Sequence, residues 1–330
     1  MKSIRITGYL FVLLAFFSLT ASATALAASI PMKVGKIKEY SIPTSGSLPY
    51  YITQGPGHSL WFDEYTANKI GKLTPKGKFT EYPIPTASSG PVDVAAGPDG
   101  NVWFTEYNVS NIAKITPKGT VTEYPVPTSG ANPYSIASGP DGNLWFTEYT
   151  GNNIGKITTS GSVTEYPVPT SSSLPFDITT GPDGNLWFVE RGGNNIGRIT
   201  PTGTITEFPI PTSGSMPHSI VSGPDGNLWF TEVVGNNIGR ITPSGTITEF
   251  PVPTAGSQPA DITIGPDKNL WFTELQGNNI GAITPTGTIT EFPVPTASSQ
   301  PLGITSGPDH LHNLWFVEHN TNKIGRINTR

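Results

Sequence analysis

Leu144-Trp145-Phe146-Thr147-Glu148 returns 42 residues later as Leu186-Trp187-Phe188-Val189-Glu190, and the same Trp-Phe-x-Glu core stands at Trp61, Trp103, Trp229, Trp271 and Trp315, with 42 residues between successive tryptophans and 44 at the last step. A period of about 40 residues is too short for a unit to bury its own apolar face, so the copies must stack or close on one another. The seven copies also form an internal alignment, separating positions the scaffold dictates from positions free to vary.

Working outward from Trp145, the copy reads as four short β segments divided by turns. Pro133-Tyr134-Ser135-Ile136-Ala137-Ser138 comes first. Gly139-Pro140-Asp141-Gly142 then turns the chain into Asn143-Leu144-Trp145-Phe146-Thr147-Glu148. Asn153-Ile154-Gly155-Lys156-Ile157 follows, and a turn leads to Val163-Thr164-Glu165-Tyr166-Pro167. Sibling copies close that last turn with Thr-Pro-x-Gly, as in Thr242-Pro243-Ser244-Gly245, where Pro at i+1 and Gly at i+3 fit a type I turn. The second segment is almost uninterrupted in its apolar character and is expected to be buried on both faces. Alternate prolines in the fourth, as in Phe250-Pro251-Val252-Pro253, cannot donate to a ladder and place it at an outer edge. The period predicts an all-β, seven-bladed β-propeller with four-stranded antiparallel blades.

The chain ends complement each other. Residues 35–43, Gly-Lys-Ile-Lys-Glu-Tyr-Ser-Ile-Pro, hold a fourth-type strand with no predecessors, and the last copy stops after its third-type strand at Ile324-Gly325-Arg326-Ile327. The N-terminal strand is therefore expected to complete the seventh blade and close the ring.

Residues 1–28 stand apart. Lys2 and Arg5 precede the apolar run Tyr9 to Leu19, and Ala25-Leu26-Ala27 offers a small-residue cleavage site, the pattern of a secretory signal peptide. Retention of the segment as an N-terminal anchor is the alternative. Residues 29–330 then form one propeller, expected to be exported to a secreted or periplasmic location and to act as a monomer. The whole chain carries 19 Lys+Arg against 24 Asp+Glu, and removing residues 1–28 takes away two cations and no acid. This acidic balance argues against nucleic acid as a partner. With no cysteine there is neither disulfide nor thiolate chemistry, so stability rests on packing.

In an up-and-down blade the start of the first strand and the end of the second share one rim, where a ligand site near the axis is expected. The residue after the proline that opens each first strand is the informative column: Tyr50, Val92, Tyr134, Phe176, His218, Ala260 and Leu302. Alternation would turn the next column, Tyr51, Asp93, Ser135, Asp177, Ser219, Asp261 and Gly303, the other way. The Trp-Phe-x-Glu carboxylates Glu64, Glu106, Glu148, Glu190, Glu232, Glu274 and Glu318 offer oxygen ligands for a divalent cation. Their presence in every copy favours a scaffold role, satisfying loop amides within each module. His58, His310 and His312 fall in turns of the opposite rim, and His319 follows Glu318 on the candidate rim.

The run Gly-Pro-Asp-Gly-Asn-Leu-Trp-Phe-Thr-Glu, followed by Gly-Asn-Asn-Ile-Gly-Arg-Ile-Thr-Pro, resembles the blade of the virginiamycin B lyase, or streptogramin lyase, family over essentially the whole chain after residue 28. The resemblance implies a magnesium-dependent C-O lyase that opens a cyclic depsipeptide antibiotic by elimination, a resistance activity. It also implies a site built from a histidine after the strand-opening proline of one blade, a Glu-Pro-His at that place in the next, and the second blade's Trp-Phe-x-Glu carboxylate. His218 matches the first histidine and Glu274 the carboxylate, as catalytic and, for Glu274, metal-binding candidates. Gln258-Pro259-Ala260 stands where Glu-Pro-His is needed. Ala260 has no proton-accepting group for an elimination, and Gln258 lacks the charge that helps hold magnesium. The expectation is a degenerate lyase site that binds a small or peptide-like ligand, or a protein partner, through Tyr50, Tyr134, Phe176, Leu302 and Gln258. An active lyase using His218 and Glu274 with Mg2+ is the alternative.

Overall fold

Gly139-Pro140-Asp141-Gly142 turns as its residues dictate in the computed structural model, which describes residues 34–308 and 312–330. Gly142 takes φ 76°, and the Gly139 amide donates to the Asn143 carbonyl at 2.8 Å. Asp141 also accepts the Trp145 indole N–H at 3.1 Å. The turn thereby supplies the acceptor that a fully buried indole requires, which is why the two motifs travel together. Asp99, Asp183, Asp225 and Asp267 do the same for their tryptophans. In the first copy Pro56-Gly57-His58 lacks the aspartate, and Trp61 reaches only the Pro56 carbonyl at 3.5 Å.

The described residues form 28 strands in seven four-stranded antiparallel sheets, and no helix. Every residue of each second strand is buried, as in Leu144–Glu148. Fourth strands such as Val163–Pro167 lie at the sheet edge with alternating exposure. Trp145 packs with Ile178, Leu186 and Phe188 of the following blade, so the core is a ring of interblade clusters and not one central mass. Across the sheet Phe146 faces Gly155, where a Cβ would come within 2.1 Å of the phenyl ring. Glycine leaves the ring that room in six blades, and in the second blade Ala113 faces Phe104 instead.

The N-terminal strand Ile37–Ser41 pairs with Lys323–Asn328 from Ile37↔Ile327 to Ser41↔Lys323, completing the last blade as the chain ends predicted. Tyr40 stacks on Trp315 with centroids 5.4 Å apart, repeating the 5.6 Å stack of Tyr166 on Trp145. Trp315 in turn packs with Ile52, Leu60 and Phe62 of the first blade, closing the ring.

A second set of ties runs round the outside. Each fourth-strand glutamate accepts the backbone N–H of the threonine that ends the preceding blade, as Glu123 does from Thr86 at 3.0 Å and Glu39 from Thr296 at 3.0 Å. In the first and last blades lysine replaces the asparagine found beside this glutamate in the other five. Lys69 meets Glu81 and Lys323 meets Glu39, each at 3.0 Å, so both blades at the closure carry an ion pair on the tie.

First strands deviate from regular alternation. Pro133 pairs with Glu148, but Ile136 pairs with Phe146, leaving one extra residue on the inner strand, and five other blades show the same shift. This bulge corrects the expectation that neighbouring columns face opposite ways, because two successive residues now meet their counterparts in adjacent blades. Tyr134 lies 3.8 Å from Phe176 ring to ring, and one position on, Ser135 Oγ lies 2.7 Å from Asp177 Oδ1. The second column thus forms a buried chain, Asp93, Ser135, Asp177, Ser219, Asp261. Each aspartate also accepts its neighbour's amide and one from the next blade. Aspartate and serine cannot alternate round an odd ring. The pattern breaks at Gly303, whose N–H donates directly to the Tyr50 carbonyl at 2.8 Å and whose Cβ would fall 2.6 Å from that oxygen.

Candidate functional site

At the mouth of the ring the loops before and after the inner strands enclose a cavity of about 440 Å³. Of the expected residues, Tyr50, Tyr134, His218, Gln258 and Leu302 line it together, with Ala260 between them. Phe176 stands behind the wall, its ring 4.6 Å from His218 and 3.8 Å from Tyr134. A second hollow of about 230 Å³, walled by Tyr50, Tyr65, Val92, Tyr107 and Tyr134, adjoins it through the shared Tyr50 and Tyr134.

Glu274 is not part of either wall. It is fully buried, and its Oε2 accepts the Asn279 side-chain N–H at 3.0 Å. Glu106, Glu148, Glu190 and Glu232 hold the equivalent asparagine of their own blades at 2.8–3.2 Å. The partner is thus a strand side chain of the same module instead of a loop amide. Burial pushes the Glu274 carboxyl up to about 7, with Glu291 adding to the rise against the pull of Asn279. Glu274 therefore shares its surroundings with scaffold copies.

His218 is 6% exposed, and its Nδ1 has no hydrogen-bond partner. Burial, with the positive charge of Arg191 added, pushes its imidazole down to about 3 against an opposing contact with the Ala260 backbone. It is therefore neutral at physiological pH. Asp63 stands where the other copies have Thr or Val and accepts the amides of Tyr50 and Tyr51 at 3.0 and 2.6 Å, fixing the backbone that carries Tyr50.

Two further columns complete the cavity. The residue after each Trp-Phe-x-Glu is Tyr65, Tyr107, Tyr149, Arg191, Val233, Leu275 or His319, and the last four of these line the 440 Å³ cavity. The residue before each strand-opening proline adds Met216, Gln258 and Gln300, all in the left-handed region at φ 51–55°. Arg191 lies over Phe176, 4.7 Å from the ring centre, on a loop pinned by the Gly192 amide to Ser173. His319 Nδ1 lies 3.1 Å from the Pro49 carbonyl, which can only accept, so Nδ1 carries the proton and Nε2 the lone pair. Both columns vary from copy to copy. The variability that marks the strand column marks them equally, so that signal was present in the sequence.

The donor set does not suit magnesium. The wall offers two neutral imidazoles, two amides and a guanidinium but no carboxylate, and the described residues hold no cluster of three His, Asp or Glu placed for a metal. His58 and His312 lie in turns between first and second strands, as expected, while His310 and residues 1–28 lie outside the described residues. No helix among the described residues is long and apolar enough to cross a membrane.

The virginiamycin B lyase family model matches residues 19–226 and 210–330. Virginiamycin B lyase from Staphylococcus aureus is 43% identical, aligns over 89% of this chain and 99% of its own, and superposes with a TM-score of 0.85. The same figures hold for a catalytically inactive histidine-to-alanine variant of that enzyme with quinupristin. A streptogramin B lyase structure is 41% identical over 89% of this chain and 98% of its own, with a TM-score of 0.85. Family match, near-complete mutual coverage and the seven-bladed closed ring agree, and the chain belongs to the virginiamycin B lyase family.

Proposed function

We propose that this protein is an exported ligand-binding propeller whose lyase chemistry has been lost. The observation that carries the reading is Gln258-Pro259-Ala260 on the cavity wall. Elimination needs a group to take a carbon-bound proton, and Ala260 has none. His218 is the only imidazole of its column, and its depressed basicity and the neighbouring Arg191 charge disfavour the protonated form that abstraction would create. What the mouth keeps is apolar and aromatic wall with a few polar groups, the composition of a small-molecule or peptide-like site. Export rests on the N-terminal pattern of residues 1–28. A monomer with a ligand or a protein partner at the mouth fits the same reading.

The test is to incubate the protein with a streptogramin B depsipeptide, with and without magnesium, following binding by tyrosine and tryptophan fluorescence and ring opening by mass spectrometry. Binding without linearisation is expected. Magnesium-dependent linearisation abolished by His218→Ala would replace this reading with the second one, an active C-O lyase using His218 and Glu274, which the 43% identity to the Staphylococcus aureus enzyme favours.

A further inference from the structure

We infer that the mouth cavity recognises the free carboxylate end of an aromatic, acyclic peptide or N-acyl amino acid, with Arg191 pairing the carboxylate. This deepens the binding reading above and rests on it.

Charge is the first support. The chain has more acids than bases, yet the cavity wall contains a guanidinium and no Asp or Glu. The ion pairs among the described residues are Lys69–Glu81, Lys114–Asp99 and Lys323–Glu39, so Arg191 has no acidic partner of its own. Arg198 and Arg240 behave differently, since each lies over its blade's tryptophan and donates to a proline carbonyl of the next blade. Those are scaffold residues, whereas Arg191 stands at the mouth in a position occupied by Tyr, Val, Leu or His in other blades.

Geometry is the second. The guanidinium carbon lies 4.7 Å from the centre of the Phe176 ring, a cation–π contact that leaves its N–H groups without a hydrogen-bond partner of their own among the described residues. Those groups form the fork that matches a carboxylate with two parallel hydrogen bonds.

The third is the aromatic lining. A carboxylate beside an aromatic side chain is the chemistry of an aromatic residue at a peptide C-terminus. The adjoining hollow of about 230 Å³, four of whose five wall residues are tyrosines, suits an aromatic side chain.

The experiment compares N-acetyl-L-phenylalanyl-L-tyrosine with its C-terminal amide by isothermal titration at low ionic strength. The acid is expected to bind the unaltered protein at least tenfold more tightly than the amide. Arg191→Gln should erase that preference, Arg191→Lys should keep part of it, and Arg198→Gln should leave it intact. Equal binding of acid and amide would overturn the carboxylate assignment while leaving the binding reading standing. Binding of neither at millimolar concentration would also overturn it, as would a preference that survives Arg191→Gln. Failure of the binding reading is seen separately, as turnover of the cyclic depsipeptide.

Discussion

Ser135 Oγ lies 2.8 Å from Asp93 Oδ2, its counterpart one blade earlier, and 2.7 Å from Asp177 Oδ1, one blade later. A hydroxyl has one proton and cannot donate to both. Ser219 faces the same conflict between Asp177 and Asp261. Four contacts therefore share two serine protons, and the other two must come from the carboxyls. An ionised Asp177 between protonated Asp93 and Asp261 satisfies every contact. Burial points the same way, pushing Asp93 up to about 8 and Asp261 to about 7, with like charge from Asp177 adding to both.

The expected consequence is a propeller more stable in mild acid than in mild base. Asp93, Asp261 and the Trp-Phe-x-Glu carboxyls, raised to about 7 or 8, hold protons that the unfolded chain releases near pH 4. Their stabilisation is complete below pH 4 and is lost as pH rises through 7 to 8. Carboxylates pulled down despite partial burial, such as Asp141 by Asn143 and Trp145, work oppositely and fail only in stronger acid. Thermal unfolding from pH 4 to 9 should give a maximum near pH 5 and a decline of several degrees by pH 8. A midpoint that rises from 5 to 8 would exclude a protonated ring.

Closure gives a second expectation. Tyr40 covers Trp315 as Tyr166 covers Trp145, but only Tyr40 belongs to a strand from the opposite end of the chain. Tyr40→Ala should cost about 2 kcal/mol, below the usual cost of truncating a fully buried aromatic because Tyr40 is half-buried. For a domain of this size that corresponds to roughly 4 °C in midpoint. Tyr166→Ala should cost a similar amount if the closure is as tight as an interior junction. A negligible effect of Tyr40→Ala in thermal or urea unfolding would show the N-terminal strand to be dispensable.

The fold was legible because the copies state the same physics: a turn aspartate near the tryptophan in all but the first, an apolar second strand, a proline-guarded fourth strand. Even the closure could be read, from the missing strand at each end. The site was half legible. His218, Gln258 and Ala260 stood out against the repeat and His319 was placed on the candidate rim, but Arg191 lies beyond Trp-Phe-x-Glu in a loop whose reach over the mouth depends on blade tilt. The inner-strand bulge was invisible because no residue type announces it, and with it the Asp93 to Asp261 chain, which alternation had turned away from the first column.

Gln300 marks a trade between stability and binding. It lines the cavity with φ 51°, where the second blade has Gly90 at φ 64°. The left-handed region costs a non-glycine residue about 1–2 kcal/mol, partly offset by the extra freedom glycine has when unfolded. Gln300→Gly should therefore leave the unfolding midpoint unchanged or raise it by about 2 °C while weakening ligand binding. A clear drop in midpoint would mean that the side chain's packing outweighs the backbone strain.

If the lyase chemistry was lost at Gln258 and Ala260, restoring both residue types should bring it back. Ala260 is fully buried against the cluster containing Leu302 and Trp315, but it also borders the open cavity, so a histidine there has space on one side. Ala260→His supplies a base for the carbon-bound proton, and Gln258→Glu supplies the negative charge that a hard cation needs. The two should depend on each other: neither single variant is expected to open a streptogramin B ring in magnesium, whereas the double variant should do so measurably by mass spectrometry. Arg191 adds an opposing positive charge beside His218, so Arg191→Gln in the double variant should raise the rate further. A folded double variant that stays inert, with or without Arg191→Gln, would mean that the loss lies elsewhere on the wall.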